Sequence, residues 1–390
     1  MKKNYTFYIT LLIMLFSSQN SFAQKEWKLE LYPKDNNIPS SAIFFENDFY
    51  IVGQRFTKKG AVQHTQALVR VSENGKVLKE KMFGLSHRRM RNIYLSPDNK
   101  IYLVGVYDGR LWIQEINKDL DVIKEKIFKN TYCKDLYSPK LLFYKNEFII
   151  VSNSQEYKIE IIRLNNDFTE KQRKSIKHPF RSNRVSSLFS FQDAIITPNQ
   201  KIIIVGNGHP FKPPRKGEKK YTYDAFFLQV DIESEKTDWF SSIGDGKEYY
   251  VATSLVYLKN HFYVTGMNRK LEGKFGIALY KLSEEGKILA HKRIESKANG
   301  WGNDIIVDNG MLNVAGFIGT NAVMIRYNEK GQVTNKRIFE TNSRDEFKMI
   351  LKLPSNQILI LGHTNRLGSQ YGGGNSWSII KTTTNKVYKK

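Results

Sequence analysis

The sequence has one cysteine, Cys133, in 390 residues. An internal disulfide is therefore excluded, and no cysteine stands immediately after the N-terminal segment to carry a lipid. Stability has to come from a packed core. Long apolar runs are also missing: the best, Ile9–Phe16, ends in Ser17-Ser18-Gln19-Asn20, short of the roughly 20 apolar residues a membrane-spanning helix needs. Proline is sparse at 10 residues, and acidic residues are outnumbered, 38 against 61 Lys plus Arg. There is no H-x-H or HExxH spacing, so nothing in the sequence argues for a metal centre, and no cofactor motif is present. Cys133 sits in no local catalytic signature.

The N-terminus reads as an export signal. Lys2 and Lys3 form a basic start, the apolar run follows, and Ser21-Phe22-Ala23 offers small residues before Gln24. Residues 1–23 are expected to be cleaved, leaving residues 24–390 as one domain that is secreted or periplasmic, with no transmembrane segment. The formal charge of +23 would become +21 without Lys2 and Lys3. That balance favours acidic partners, and export argues against intracellular nucleic acid. The 24 Phe and 21 Tyr, with frequent Ile and Val, suit an all-β chain.

Internal repetition is the strongest signal. An apolar run ending in a small residue recurs at Gly53, Gly105, Ser152, Gly206, Gly266, Gly316 and Gly362. In each unit this run is the second of four strands, a to d. A polar turn such as Ser96-Pro97-Asp98-Asn99 precedes it. An alternating strand follows (Ala67–Val71, Ala322–Arg326), then a tight turn (Asn74-Gly75, Lys330-Gly331) and a charged strand (Val77–Phe83, Val333–Phe339). Strand b reads as buried and strand d as the rim. Unit seven reaches strand c at Trp377–Lys381 and nearly runs out, while Glu26–Leu31 reads as an orphan strand d. Pairing the two would close a ring, whereas an open solenoid would need no complementary ends. The expected fold is an all-β, seven-bladed β-propeller of four-stranded antiparallel blades.

The repeat resembles the blades of bacterial secreted β-propeller repeat proteins, in which an apolar-apolar-Gly strand leads through a loop to an L-x-K-L-like strand, Asn-Gly and W/L-x-K-x-F. The likeness runs over about residues 26–385. Ser152 in place of Gly and the rarity of Trp in strand d depart from it. It implies the fold and no particular activity. The chain has no repeated Trp-Asp ending, paired-Gly kelch repeat or Ser-x-Asp-x-Gly box.

In such a meander the b–c and d–a loops share one face. By sequence those loops hold the surplus of basic residues and five of the seven histidines: His64, His87, His178, His209 and His363. They are also the long loops, where binding on a rigid scaffold concentrates. The sharpest cluster is His87-Arg88-Arg89-Met90-Arg91, where arginine could grip a carboxylate or sulfate in a forked pair. Candidate ligand-binding residues are Arg55, His64, His87, Arg88, Arg91, His178, Arg181, His209, Trp301 and His363. The expected function is a binding module that presents this cationic, aromatic-bearing face to an acidic polysaccharide or envelope component. One alternative is a lyase acting on uronate-containing glycans, with His87 or His209 as base, Arg88 and Arg91 on the carboxylate, and Tyr249 or Tyr250 as acid. Another is a scaffold for envelope proteins.

Overall fold

The computed structural model describes residues 26–32, 37–57, 63–83, 88–132, 139–154, 158–177, 190–208, 223–244, 248–270, 273–294, 298–339, 344–354, 356–365 and 375–383. These form seven four-stranded antiparallel sheets arranged as a β-propeller. Blade 1 is Ile38–Phe45, Asp48–Thr57, Gln63–Ser72 and Val77–Phe83 for strands a to d. The innermost a strands of blades 2 to 7 are Arg88–Leu95, Lys140–Tyr144, Ser190–Ile196, Glu248–Leu258, Gly300–Asp308 and Arg344–Lys352. The expected export signal lies outside the described residues.

The ring closes as the ends of the sequence predict. Trp27–Leu31 pairs antiparallel with Asn375–Thr383, from Trp27 opposite Lys381 to Leu31 opposite Trp377. The N-terminal strand is thus strand d of blade 7. The closing seam continues into blade 1: Trp27 Nε1 donates to the Glu73 carbonyl at 2.7 Å, and the buried Lys381 ammonium lies 2.8 Å from the Glu73 carboxylate.

The core is divided among the blade seams. Seven apolar clusters each draw on two neighbouring sheets, as with Ile149, Val151 and Ile161 of blade 3 against Ile204, Phe226 and Leu228 of blade 4. Both faces of each sheet are buried while d strands lie at the rim, so Leu78, Ile123 and Leu289 remain exposed. This is the apolar-to-charged gradient along each repeat.

The glycine ending strand b has a specific cause. In six blades strand a carries a β-bulge beside that glycine, at Pro39/Ser41, Met90/Asn92, Phe191/Asp193, Ala252/Ser254, Gly302/Asp304 and Phe347/Met349. The bulge presses a strand-a carbonyl toward the facing glycine. A Cβ there would lie 1.8 Å from the Val251 carbonyl oxygen at Gly266 and 2.5 Å from the Ile38 oxygen at Gly53, with the other four between. In blade 3, Lys140–Tyr144 pairs in regular register, and there the small residue is Ser152. The departure from the repeat therefore marks the blade whose described pairing has no bulge.

Candidate functional site: a polar cavity at the hub

The bulges matter because they sit where the seven a strands converge. Each delivers two consecutive side chains toward the axis instead of one. A cavity of about 690 Å³ opens there, lined by residues from the a strands of all seven blades, mostly from around the middle of each strand.

One register position recurs in every blade, opposite the residue that precedes the strand-b glycine or serine. It is occupied by Ser41, Asn92, Lys140, Asp193, Ser254, Asp304 and Met349. These side chains pass from blade to blade. The Ser41 hydroxyl accepts from Ile93 N at 3.3 Å, and Asn92 Nδ2 donates to the Pro139 carbonyl at 2.9 Å. Lys140 Nζ lies 2.5 Å from Asp193 Oδ1. Asp193 Oδ2 accepts from Leu255 N at 3.1 Å, Asp304 Oδ2 from Ile350 N at 2.9 Å, and the Met349 sulfur faces Ala42 N at 3.2 Å. Ser254 Oγ stands between Asp193 Oδ2 at 3.0 Å and Asp304 Oδ1 at 2.8 Å. Buried polar groups need partners, and here the partners fasten neighbouring blades at the hub.

The bulged residues, Ser40, Arg91, Gln192, Thr253, Asn303 and Lys348, also line the cavity. Asn303 Nδ2 donates to Glu346 Oε1 at 2.9 Å, and Lys348 pairs with the same carboxylate. Half-buried Trp301 and buried Phe191 add aromatic surface. Burial works against the Lys140 charge, but Asp193 and Tyr94 outweigh it, so its pKa is raised. Burial pushes the Tyr94 hydroxyl up to about 12 against the nearby Lys140 charge. Burial also raises the Asp304 carboxyl, against its contacts with Ile350 N and Ser254 Oγ and the Lys140 charge; the neighbouring Asp193 charge acts in the same sense as burial.

Of the residues singled out by sequence, Arg91 and Trp301 line this cavity. His363 stands one strand outward, its Nε2 3.7 Å from Glu346 Oε2, behind the cavity wall. Arg55 lies at the closing seam, 4.6 Å over the Tyr32 ring and 3.7 Å from Glu80. Tyr249 packs by the Tyr223 ring and under Arg269, and Tyr250 is buried edge-on to His291. Neither tyrosine is part of the cavity lining. The backbones of His64 and Arg88 are in strands, but their side chains lie outside the described part of the chain, as do His87, His178, Arg181 and His209 altogether.

Sequence reasoning missed Lys140, Asp193, Ser254, Asp304, Asn303, Glu346 and Lys348. A signal was present: Ser41-Ala-Ile, Asn92-Ile-Tyr, Lys140-Leu-Leu, Asp193-Ala-Ile, Ser254-Leu-Val and Asp304-Ile-Ile place a polar residue before an apolar pair at one phase of the repeat.

The architecture and hub define a seven-bladed β-propeller with a polar axial cavity. No protein-family model and no curated protein sequence matches the chain. Among solved structures it is similar to the polysaccharide lyase Uly1, at TM-score 0.55 and 10% identity over 93% of this chain and 100% of that one. It is also similar to extracellular domains 1–2 of Drosophila Semaphorin 1b (0.55, 8%, 91% and 86%) and to the AfRom2 CNH domain (0.52, 9%, 93% and 100%). At these identities the likeness is one of fold.

Proposed function

We propose that this propeller is an exported glycan-binding module whose axial cavity holds a sugar unit of an acidic polysaccharide. The observation carrying the reading is the cavity itself. Its volume of about 690 Å³ lies within the roughly 300–1,000 Å³ range of small-ligand sites. Its lining joins an indole with amides, hydroxyls and charged groups, as recognition of a ring with apolar faces and polar edges requires. Arg91 and Lys140 come from blades 2 and 3, which stand across the axis from Trp301 of blade 6. A carboxylate-bearing sugar can thus meet cations at one edge and the indole at its face.

The lyase alternative rests on the same cations, since Arg91 and Lys140 at the cavity can neutralise a uronate carboxylate, the electrostatic half of that chemistry. One experiment separates the two readings. The chain without residues 1–23 is titrated with a panel of acidic and neutral oligosaccharides by calorimetry, and the same mixtures are followed in the ultraviolet. Binding that weakens with salt and falls at least about tenfold in Trp301→Ala, with no new absorbance near about 235 nm, supports the module. Absorbance growing at that wavelength supports the lyase. Failure of every glycan to bind refutes both.

A further inference from the structure

The hub cluster contains more acceptors than hydrogens if both its aspartates are ionised. Ser254 Oγ carries one hydrogen, yet lies 3.0 Å from Asp193 Oδ2 and 2.8 Å from Asp304 Oδ1. With two carboxylates, one of these contacts would set lone pair against lone pair. The surroundings of the two acids differ. Asp193 has the Lys140 ammonium at 2.5 Å besides Ala194 N and Leu255 N. Asp304 has the Ile305 and Ile350 N–H groups, at 2.9 Å each, and forms no ion pair among the described residues.

We infer that the chain Asp304–Ser254–Asp193–Lys140 holds one extra proton, seated on Asp304. The neutral Asp304 acid then donates to Ser254 Oγ, Ser254 donates to Asp193, and Asp193 stays ionised beside Lys140. Every contact becomes a donor facing an acceptor. The raised Asp304 carboxyl agrees with this, and adjacent acids whose environments separate them in this way divide into a proton holder and a charge holder.

The proton also sets the charge of the cavity. Its titratable lining is Arg91, Tyr94, Lys140, Asp193, Asp304, Glu346 and Lys348. With Asp304 neutral, three cations face two carboxylates and the hub is net cationic; with Asp304 ionised it is neutral. Resting on the glycan reading above, this makes acceptance of an anionic sugar depend on that proton.

The test begins without ligand, on the full chain at pH 7. The infrared difference between wild type and Asp304→Asn should show the carbonyl stretch of a neutral carboxylic acid in wild type only. Absence of that band from wild type, or its survival in Asp304→Asn, overturns the inference. Should the Asn variant not fold, Ser254→Ala must shift the band, since it removes the proton's acceptor; an unmoved band overturns the inference equally. A second arm titrates glucuronate across pH. Its affinity should fall on the order of tenfold as the band disappears, the scale of one added charge in a semi-enclosed site, and stay flat in Asp304→Asn. An affinity indifferent to loss of the band overturns the coupling. A band without any glucuronate binding leaves the proton standing and removes the glycan reading.

Discussion

The closing seam permits a quantitative test through Trp27 and Gly75. The Trp27 ring lies over the c–d turn of blade 1, where Gly75 has φ of +84° and an added Cβ would come 2.9 Å from the indole Cδ2. Gly75→Ala should therefore cost two amounts. The left-handed conformation costs an L-residue about 1–2 kcal/mol, and displacing the indole costs about 1–3 kcal/mol more. Gly109 isolates the first: its φ is +72° and nothing lies within 4 Å of an added methyl, so Gly109→Ala should cost about 1–2 kcal/mol. Trp27→Ala alone should cost about 2–3 kcal/mol, from half-buried aromatic surface and the hydrogen bond to Glu73. In the double variant only the backbone share of Gly75→Ala should remain, leaving an interaction energy of about 1–3 kcal/mol, the indole's share. Urea unfolding followed by far-ultraviolet circular dichroism measures the four variants against the wild type. If Gly75→Ala costs the same with and without Trp27, the indole does not clasp the turn and the account of ring closure fails. Trp239 over Gly286, where the added Cβ would come 2.4 Å from the ring, is an independent copy of the same clasp.

Other perturbations follow from the hub and the seams. Gly266→Ala drives a Cβ against the Val251 carbonyl and should lower stability by roughly 2–4 kcal/mol, whereas Ser152→Gly, beside an unbulged strand, should change it by about 1 kcal/mol or less; unfolding midpoints compare the two. Lys140→Ala leaves Asp193 without its ammonium and should cost about 3 kcal/mol, an effect that Asp193→Asn in the same chain should partly relieve. Hydrogen bonds from Lys145 and then Tyr144 hold the Glu233 carboxyl down at about 2. Its stabilising effect should be complete above the ordinary value of about 4.3 and vanish as pH falls through about 2. Unfolding midpoints across that window should flatten in Glu233→Gln, and an unchanged profile would remove Glu233 from the seam between blades 3 and 4.

The sequence by itself determined the blade count, the order of strands and the closure by complementary ends. All three are encoded locally: a strand's burial on both faces shows as an uninterrupted apolar run, and a missing strand d at one end matches an orphan at the other. It also marked blade 3 as different at Ser152, without saying why. The reason lies across the sheet, where a bulge on one strand decides whether a methyl fits on its neighbour. The hub was decided by tertiary structure alone. Lys140, Asp193, Ser254 and Asp304 are some 50 to 60 residues apart in sequence, and each reads singly as a polar interruption of an inner strand. Only rotation of seven sheets about one axis brings them within hydrogen-bond reach, and only that proximity gives them a proton to share. Arg91 and Trp301 were legible earlier because a cationic cluster and a lone tryptophan stand out from their own neighbours.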